Sequence, residues 1–142
     1  MNQPAAMVLT VVVDTDVASF FINGDRIRMP RYEPHLRSRG LVVPFAAFAE
    51  LLYGAEVKNW GPNRRADIDT FIGRGWIHYP NERLRALWAE IRAAARRSGR
   101  PLPEQDAWVA ATALYRDVPL VTHNARHYVG VPGLQVITEP DP

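Results

Sequence analysis

Residues Val8 to Val13, reading VLTVVV, are apolar or β-branched throughout and run straight into an acid, Asp14. A strand with one wet face alternates polar and apolar residues. A continuous apolar run reads instead as a strand buried on both faces, the condition of a parallel sheet covered by helices. The rest of the chain fits that demand. A short helix is expected through Ser19 to Ile22, and a second over Tyr32 to Arg39, started by Pro30 and stopped by Gly40. A brief strand follows at Leu41 to Val43. Pro44 then opens the helix FAAFAELLYGAEV, with Phe45, Phe48, Leu51, Leu52 and Ala55 on one apolar face and Glu50 set among them. Ile68, Phe71 and Ile72 continue helically to Gly73, and WIHY reads as a third strand. Leu84, Leu87, Trp88, Ile91 and Ala95 mark an amphipathic helix ended by Gly99 and Pro101, with Arg83, Arg85, Arg92, Arg96 and Arg97 on its other face. A further helix starts at Pro103 with Glu104 and Asp106 in its first turn, where the helix dipole favours negative charge. PLVT and LQVIT supply the last two strands.

Strands alternating with helices of ten or more residues describe an α/β fold with a mostly parallel central sheet. No repeat or composition break divides the 142 residues, so one domain over 1–142 is expected. No apolar run reaches the roughly 18 residues of a membrane span, and the amino-terminal segment lacks the basic start of a signal peptide. A cytoplasmic protein is therefore expected. With no cysteine there is no disulfide framework, thiolate metal site or cysteine nucleophile. Sixteen of the seventeen basic residues are arginine, Lys58 being the single lysine. That bias suits phosphate contacts, and it is equally what a GC-rich genome writes into any protein.

Ligand sites of parallel sheets lie outside the carboxyl ends of the strands. That rule selects Asp14 and Asp16 after the first strand and His123 and Asn124 after the fourth. Asp14, Glu50, Asp106 and Asn124 are the polar residues most pointedly placed. Taken singly, each has a plainer use. Asp14 caps the first helix, Asp106 suits a helix start, Asn124 suits a turn, and Glu50 either snorkels to the surface or points into a polar pocket. Gathered together, carboxylates cannot all stay ionised without a cation. An all-oxygen cluster selects a hard divalent ion, Mg²⁺ or Mn²⁺, whose chemistry is water activation and charge neutralisation at a phosphate.

The segments VVVDTDVASFF, VPFAAFAELLYGAE and LPEQDAWVAATALYRDVPLVTHNARHYVGVPGLQVI resemble the PIN-domain nucleases, and among them the VapC-type toxins of toxin–antitoxin pairs. They cover the start, the middle and the last third of the chain in that family's order and spacing. The resemblance implies a PIN-like α/β/α sandwich that hydrolyses RNA phosphodiester bonds with Mg²⁺ or Mn²⁺. It further implies a homodimer blocked by a cognate antitoxin protein. By position, Asp14 matches the first acid, Glu50 the acid of the AELLYGA helix, and Asp106 the acid before AATA. Asn124 falls in the VT-x-N element, where many relatives carry aspartate; a neutral amide orients water but supplies less charge to hold an ion. On this reading Asp14 and Asp106 ligate the metal, Glu50 acts through water, Asn124 positions water or a phosphate oxygen, and Thr15 and Thr122 support the carboxylates.

The hhhDTDVA segment also resembles the nucleophile motif of haloacid-dehalogenase phosphatases. That reading needs a lysine near a later strand end and a late acidic pair, whereas Lys58 ends a helix and no acid follows Leu120 before Glu139. A PIN-like module that binds RNA or protein without cutting is the remaining alternative. His123 and His127 lack a third zinc ligand and read as solvated or substrate-edge histidines. Trp60 in NWGPNRR is the expected base-stacking residue, with Arg64 and Arg65 on phosphates. Phe20, Phe21, Phe45, Phe48 and Tyr53 are expected to be exposed for protein interfaces.

Overall fold

In the middle of the sheet sits β1 (Thr10–Val13), paired in parallel with β2 (Gly40–Pro44) on one side and β4 (Leu120–Val121) on the other. The computed structural model describes residues 9–142, so Val8, expected in the first strand, lies outside the described residues. Beyond β2 lies β3 (Gly75–His78), and beyond β4 lies β5 (Val136–Ile137), giving an all-parallel order β3-β2-β1-β4-β5. Six helices cover it: α1 (Thr15–Ile22), α2 (Met29–Leu36), α3 (Phe45–Val57), α4 (Pro62–Ile72), α5 (Glu82–Arg97) and α6 (Glu104–Arg116), followed by a 3₁₀ turn at Ala125–Tyr128.

The pleat sorts β1 into two layers. Val11 and Val13 pack with Val17, Leu51 and Ile68 under α1, α3 and α4. Val12 turns the other way, onto Ala95, Val109 and Leu120 beneath α5 and α6. A strand with helices on both sides has no place for a polar residue, which is why its sequence does not alternate. The result is the α/β/α sandwich that the sequence predicts. Strand order reverses between β1 and β4, so the crevice at their carboxyl ends is the natural ligand position. Asp14 N–H donates to Val121 O at 3.0 Å and closes the floor of that crevice.

Boundaries differ from expectation where tertiary bonds intervene. The first helix starts at Thr15, four residues early, because the Asp14 carboxylate caps it. The second runs over Met29–Leu36 instead of Tyr32 to Arg39. Arg37 turns extended and Ser38 takes a left-handed φ of 60°, which lets Gly40 N–H reach Leu9 O at 2.8 Å and start β2 early. Strands β2 and β3 approach so closely that a Cβ at Gly75 would stand 1.9 Å from the Leu41 carbonyl oxygen.

One expectation about the surface fails. Phe20, Phe21 and Phe48 pack against the core instead of standing free, whereas Tyr53 is exposed. Arg64 lies 3.9 Å over the Trp60 ring and donates to Ile22 O, Asn23 and Asp67, while Arg65 donates to Trp60 O and Glu56. Arg64 thereby ties α4 to the end of α1 and Arg65 ties it to the end of α3, both guanidiniums staying partly exposed. Trp88 and Trp108 stack at 4.9 Å, joining α5 to α6. Among the described residues no helix is long and apolar enough to cross a membrane.

Candidate active site

Asp14, Asp16 and Asp106 lie around Tyr128 near the carboxyl ends of β1 and β4. Asp14 ends β1 and is 7% exposed. Its Oδ1 accepts the Thr15 N–H at 2.8 Å, and its Oδ2 accepts two hydroxyls, Thr122 Oγ1 and Tyr128 Oη, each at 2.8 Å. Thr122 follows β4 directly and Tyr128 ends the 3₁₀ turn, so segments more than a hundred residues apart in sequence meet on one oxygen. Burial raises the Asp14 carboxyl to about 6, the charge of Asp16 adds to this, and the three hydrogen bonds oppose it.

Asp16 sits in the first turn of α1. Its Oδ1 accepts the Val17 N–H at 2.6 Å and its Oδ2 the His123 N–H at 3.0 Å. Burial raises this carboxyl too, against the hydrogen bonds it accepts and the neighbouring His123. Sequence reasoning places Asp16 near the strand end but leaves it out of the acid set, because an acid in a first turn already has an electrostatic reason to be there. The spacing D-T-D at a strand end is the signal that would have included it.

Asp106, in the first turn of α6, is held by His127 Nδ1 at 3.1 Å and is only 18% exposed. Burial raises its carboxyl, with His127 opposing, Glu50 repelling and the Tyr128 hydroxyl again lowering. Tyr128 thus donates its one O–H to Asp14 and lies close enough to Asp106 for each to shift the other. Its own phenol is driven up by burial first and then by the charges of those two acids, so it stays a protonated donor. It is 2% exposed, and no sequence pattern distinguishes it from a core aromatic.

The four residues selected from sequence do not stand alike. Asp14 and Asp106 both lie beside Tyr128. Glu50 is exposed on α3, close enough to Asp106 to repel it, in a recess lined by Phe45, Tyr53, Glu104, Gln105 and Trp108. Gln105 pins α6 to α3 through a 2.8 Å bond from Nε2 to Ala46 O. Asn124 donates its backbone N–H to Thr122 Oγ1 at 3.1 Å, and its side chain faces solvent. Of the supporting threonines, Thr122 binds Asp14, whereas Thr15 Oγ1 is buried with no partner.

Among the described residues no three His, Asp or Glu side chains stand close enough together to hold a metal ion. The donors nevertheless suit a hard cation. They are oxygens only, and the three aspartates are raised because their charge is disfavoured where it sits, a cost that a divalent ion relieves.

Comparison with known proteins places this geometry in company. The model of the PIN domain family matches residues 11–130. Ribonuclease VapC1 of Haemophilus influenzae (strain R2866) is 29% identical over 126 residues, 87% of this chain and 93% of that protein. The tRNA(fMet)-specific endonuclease VapC of Salmonella typhimurium is 28% identical over 129 residues, covering 90% and 96% of the two chains. Among solved structures, DNA-bound VapBC from Salmonella typhimurium superposes with a TM-score of 0.81 at 25% identity, over 92% of this chain and 98% of that one.

Proposed function

The chain belongs to the PIN domain family, and from that premise we propose that it is a metal-dependent endoribonuclease, the toxin of a type II toxin–antitoxin pair. The observation that carries the reading is the gathering of Asp14, Asp16 and Asp106 around Tyr128 at the sheet's switch point, with Thr122 and Tyr128 bonded to Asp14. Burial raises all three carboxyls at a cost to the fold, and such perturbed acids gather at functional sites.

Asp14 and Asp106, with Asp16 beside them, would hold Mg²⁺ or Mn²⁺. Bound there, such an ion would supply a lowered pKa for water and neutralisation of charge on the phosphate. The chain's own residues fix the acids. Three donors orient Asp14, His127 orients Asp106, and the His123 backbone holds Asp16. Glu50 flanks Asp106 and acts through water, and the exposed Asn124 amide positions water or a phosphate oxygen at the rim. Arginines on the free face of α5 seat the RNA backbone.

Relatives named as ribonucleases support RNA as the substrate, and similarity to VapBC complexes supports an antitoxin partner. A homodimer and a cytoplasmic location complete the proposal. The test is cleavage of purified RNA by the parent, Asp14→Asn and Asp106→Asn, each with Mg²⁺, Mn²⁺ or EDTA. Cutting by the parent with metal only, lost in both variants, is the expected result. A parent that binds RNA but cuts none under any condition would fit the non-cleaving module instead.

A further inference from the structure

His123 and Asn124, which directly follow Thr122, line a recess of about 510 Å³. One wall carries His123, Asn124 and Arg126, and the other carries Thr138, Glu139 and Asp141 from the segment after β5. The first wall is stitched to the acids through its backbone. His123 N–H binds Asp16, and Asn124 N–H binds the same Thr122 hydroxyl that reaches Asp14.

The second wall is held by side chains. Strand β5 has only two residues and does little to fix the path of residues 138–141. Tyr32 Oη accepts the Glu139 N–H at 3.0 Å, and the Glu139 carboxylate meets His35 Nε2 at 2.6 Å. Asp141 is bonded by Arg28 Nε and by His123 Nε2, both at 3.0 Å. Tyr32 Oη also lies 2.6 Å from His123 Nδ1, so both walls share that hydroxyl. Each acid of the recess is thereby engaged. Arg126 is exposed and, among the described residues, forms no ion pair, so its guanidinium is the one cation of the recess wall left uncommitted.

A recess of this size with a free guanidinium suits one phosphate-bearing nucleotide. A paired base cannot enter it, whereas a splayed base of a single strand can. Resting on the nuclease reading above, we propose that this recess receives the ribonucleotide next to the cleaved bond of a single-stranded RNA and sets nucleotide preference there. Arg126 holds its phosphate, and its base lies against the wall of residues 138–141.

The experiment has two arms. Binding of a randomised single-stranded 12-mer RNA is followed by fluorescence anisotropy in EDTA, and cut positions in a randomised RNA are sequenced with Mg²⁺ or Mn²⁺ present. Arg126→Ala is expected to weaken binding about tenfold and to raise KM by a similar factor with kcat nearly unchanged. Asp141→Ala, which frees the wall, is expected to flatten the preference at one position beside the cut. Arg64→Ala, at a residue that ties α4 to the end of α1, is the control and should change neither readout. If the parent cuts RNA while Arg126→Ala and Asp141→Ala bind and select as it does, the inference is overturned and the nuclease reading survives. Weaker binding by Arg126→Ala with cut-site preference unchanged in both variants overturns the specificity role. If the parent cuts nothing yet Arg126→Ala loses binding in EDTA, the nucleotide site stands and the nuclease reading falls; a parent that neither binds nor cuts overturns both.

Discussion

Replacing Asp14 with asparagine should stabilise the metal-free protein at neutral pH and fail to do so in acid. The native carboxyl titrates near 6, against an ordinary 3.8. A carboxyl raised in the native state is protonated more readily there than in the unfolded chain. Stability therefore falls as pH rises from about 4 to about 6 and is flat above. A gap of about 2 units at about 1.4 kcal/mol each gives about 3 kcal/mol of destabilisation at neutral pH, an upper bound. Asparagine removes the charge at almost the same size. It keeps the Thr15 N–H bond on its carbonyl oxygen but turns an amide N–H₂ toward the Thr122 and Tyr128 hydroxyls, which must rotate to accept. That mismatch costs about 1–2 kcal/mol. The balance is a gain of about 1–2 kcal/mol at pH near 7.5, or roughly 3–6 °C in melting temperature for a domain of this size. Near pH 4 the parent's Asp14 is already protonated in the fold, so only the mismatch remains and the variant melts no higher than the parent. The assay is thermal unfolding by circular dichroism in EDTA at both pH values. An equal difference between variant and parent at both would mean that Asp14 is an ordinary helix cap, and the reasoning would be refuted.

The same geometry sets three further outcomes. Tyr128→Phe removes a donor that favours ionised Asp14, so it should lower stability by about 1–2 kcal/mol at neutral pH and by less near pH 4, read in the same melts. Gly75→Ala forces a methyl group against the Leu41 carbonyl, so β2 and β3 must part, and the urea midpoint should drop by the equivalent of about 3 kcal/mol or more. Arg64→Ala should cost about 1 kcal/mol in stability, by losing its bonds to Ile22 O, Asn23 and Asp67 and its stacking on Trp60, and leave the salt slope of RNA binding unchanged. A flatter slope would return Arg64 to the phosphate contacts.

The layers and the site's location were legible in the chain because they rest on local signals. The unalternating run into Asp14 requires a strand covered on both sides. Pro44 and Pro103 mark helix starts, and the carboxyl-end rule for parallel sheets points to Asp14 and to the residues after β4. Asp106 was legible as an acid at a helix start, though not as a partner of Asp14. The group between them is the hydroxyl of Tyr128, which looks in sequence like any core aromatic and becomes a donor to Asp14, with Asp106 near, only when the 3₁₀ turn buries it there. Asp16 stayed hidden behind its first-turn position, and Arg64 and Arg65 looked free because their partners lie on other helices or across a turn. The latch of Tyr32, His35 and Arg28 on residues 139–141 spans about a hundred residues. Periodicity and propensity report which face of an element is buried; they carry no record of which polar group a buried oxygen will find there. That choice belongs to the packed fold, where an unmet polar group is costly and the partner is whichever donor the tertiary structure brings within 3 Å.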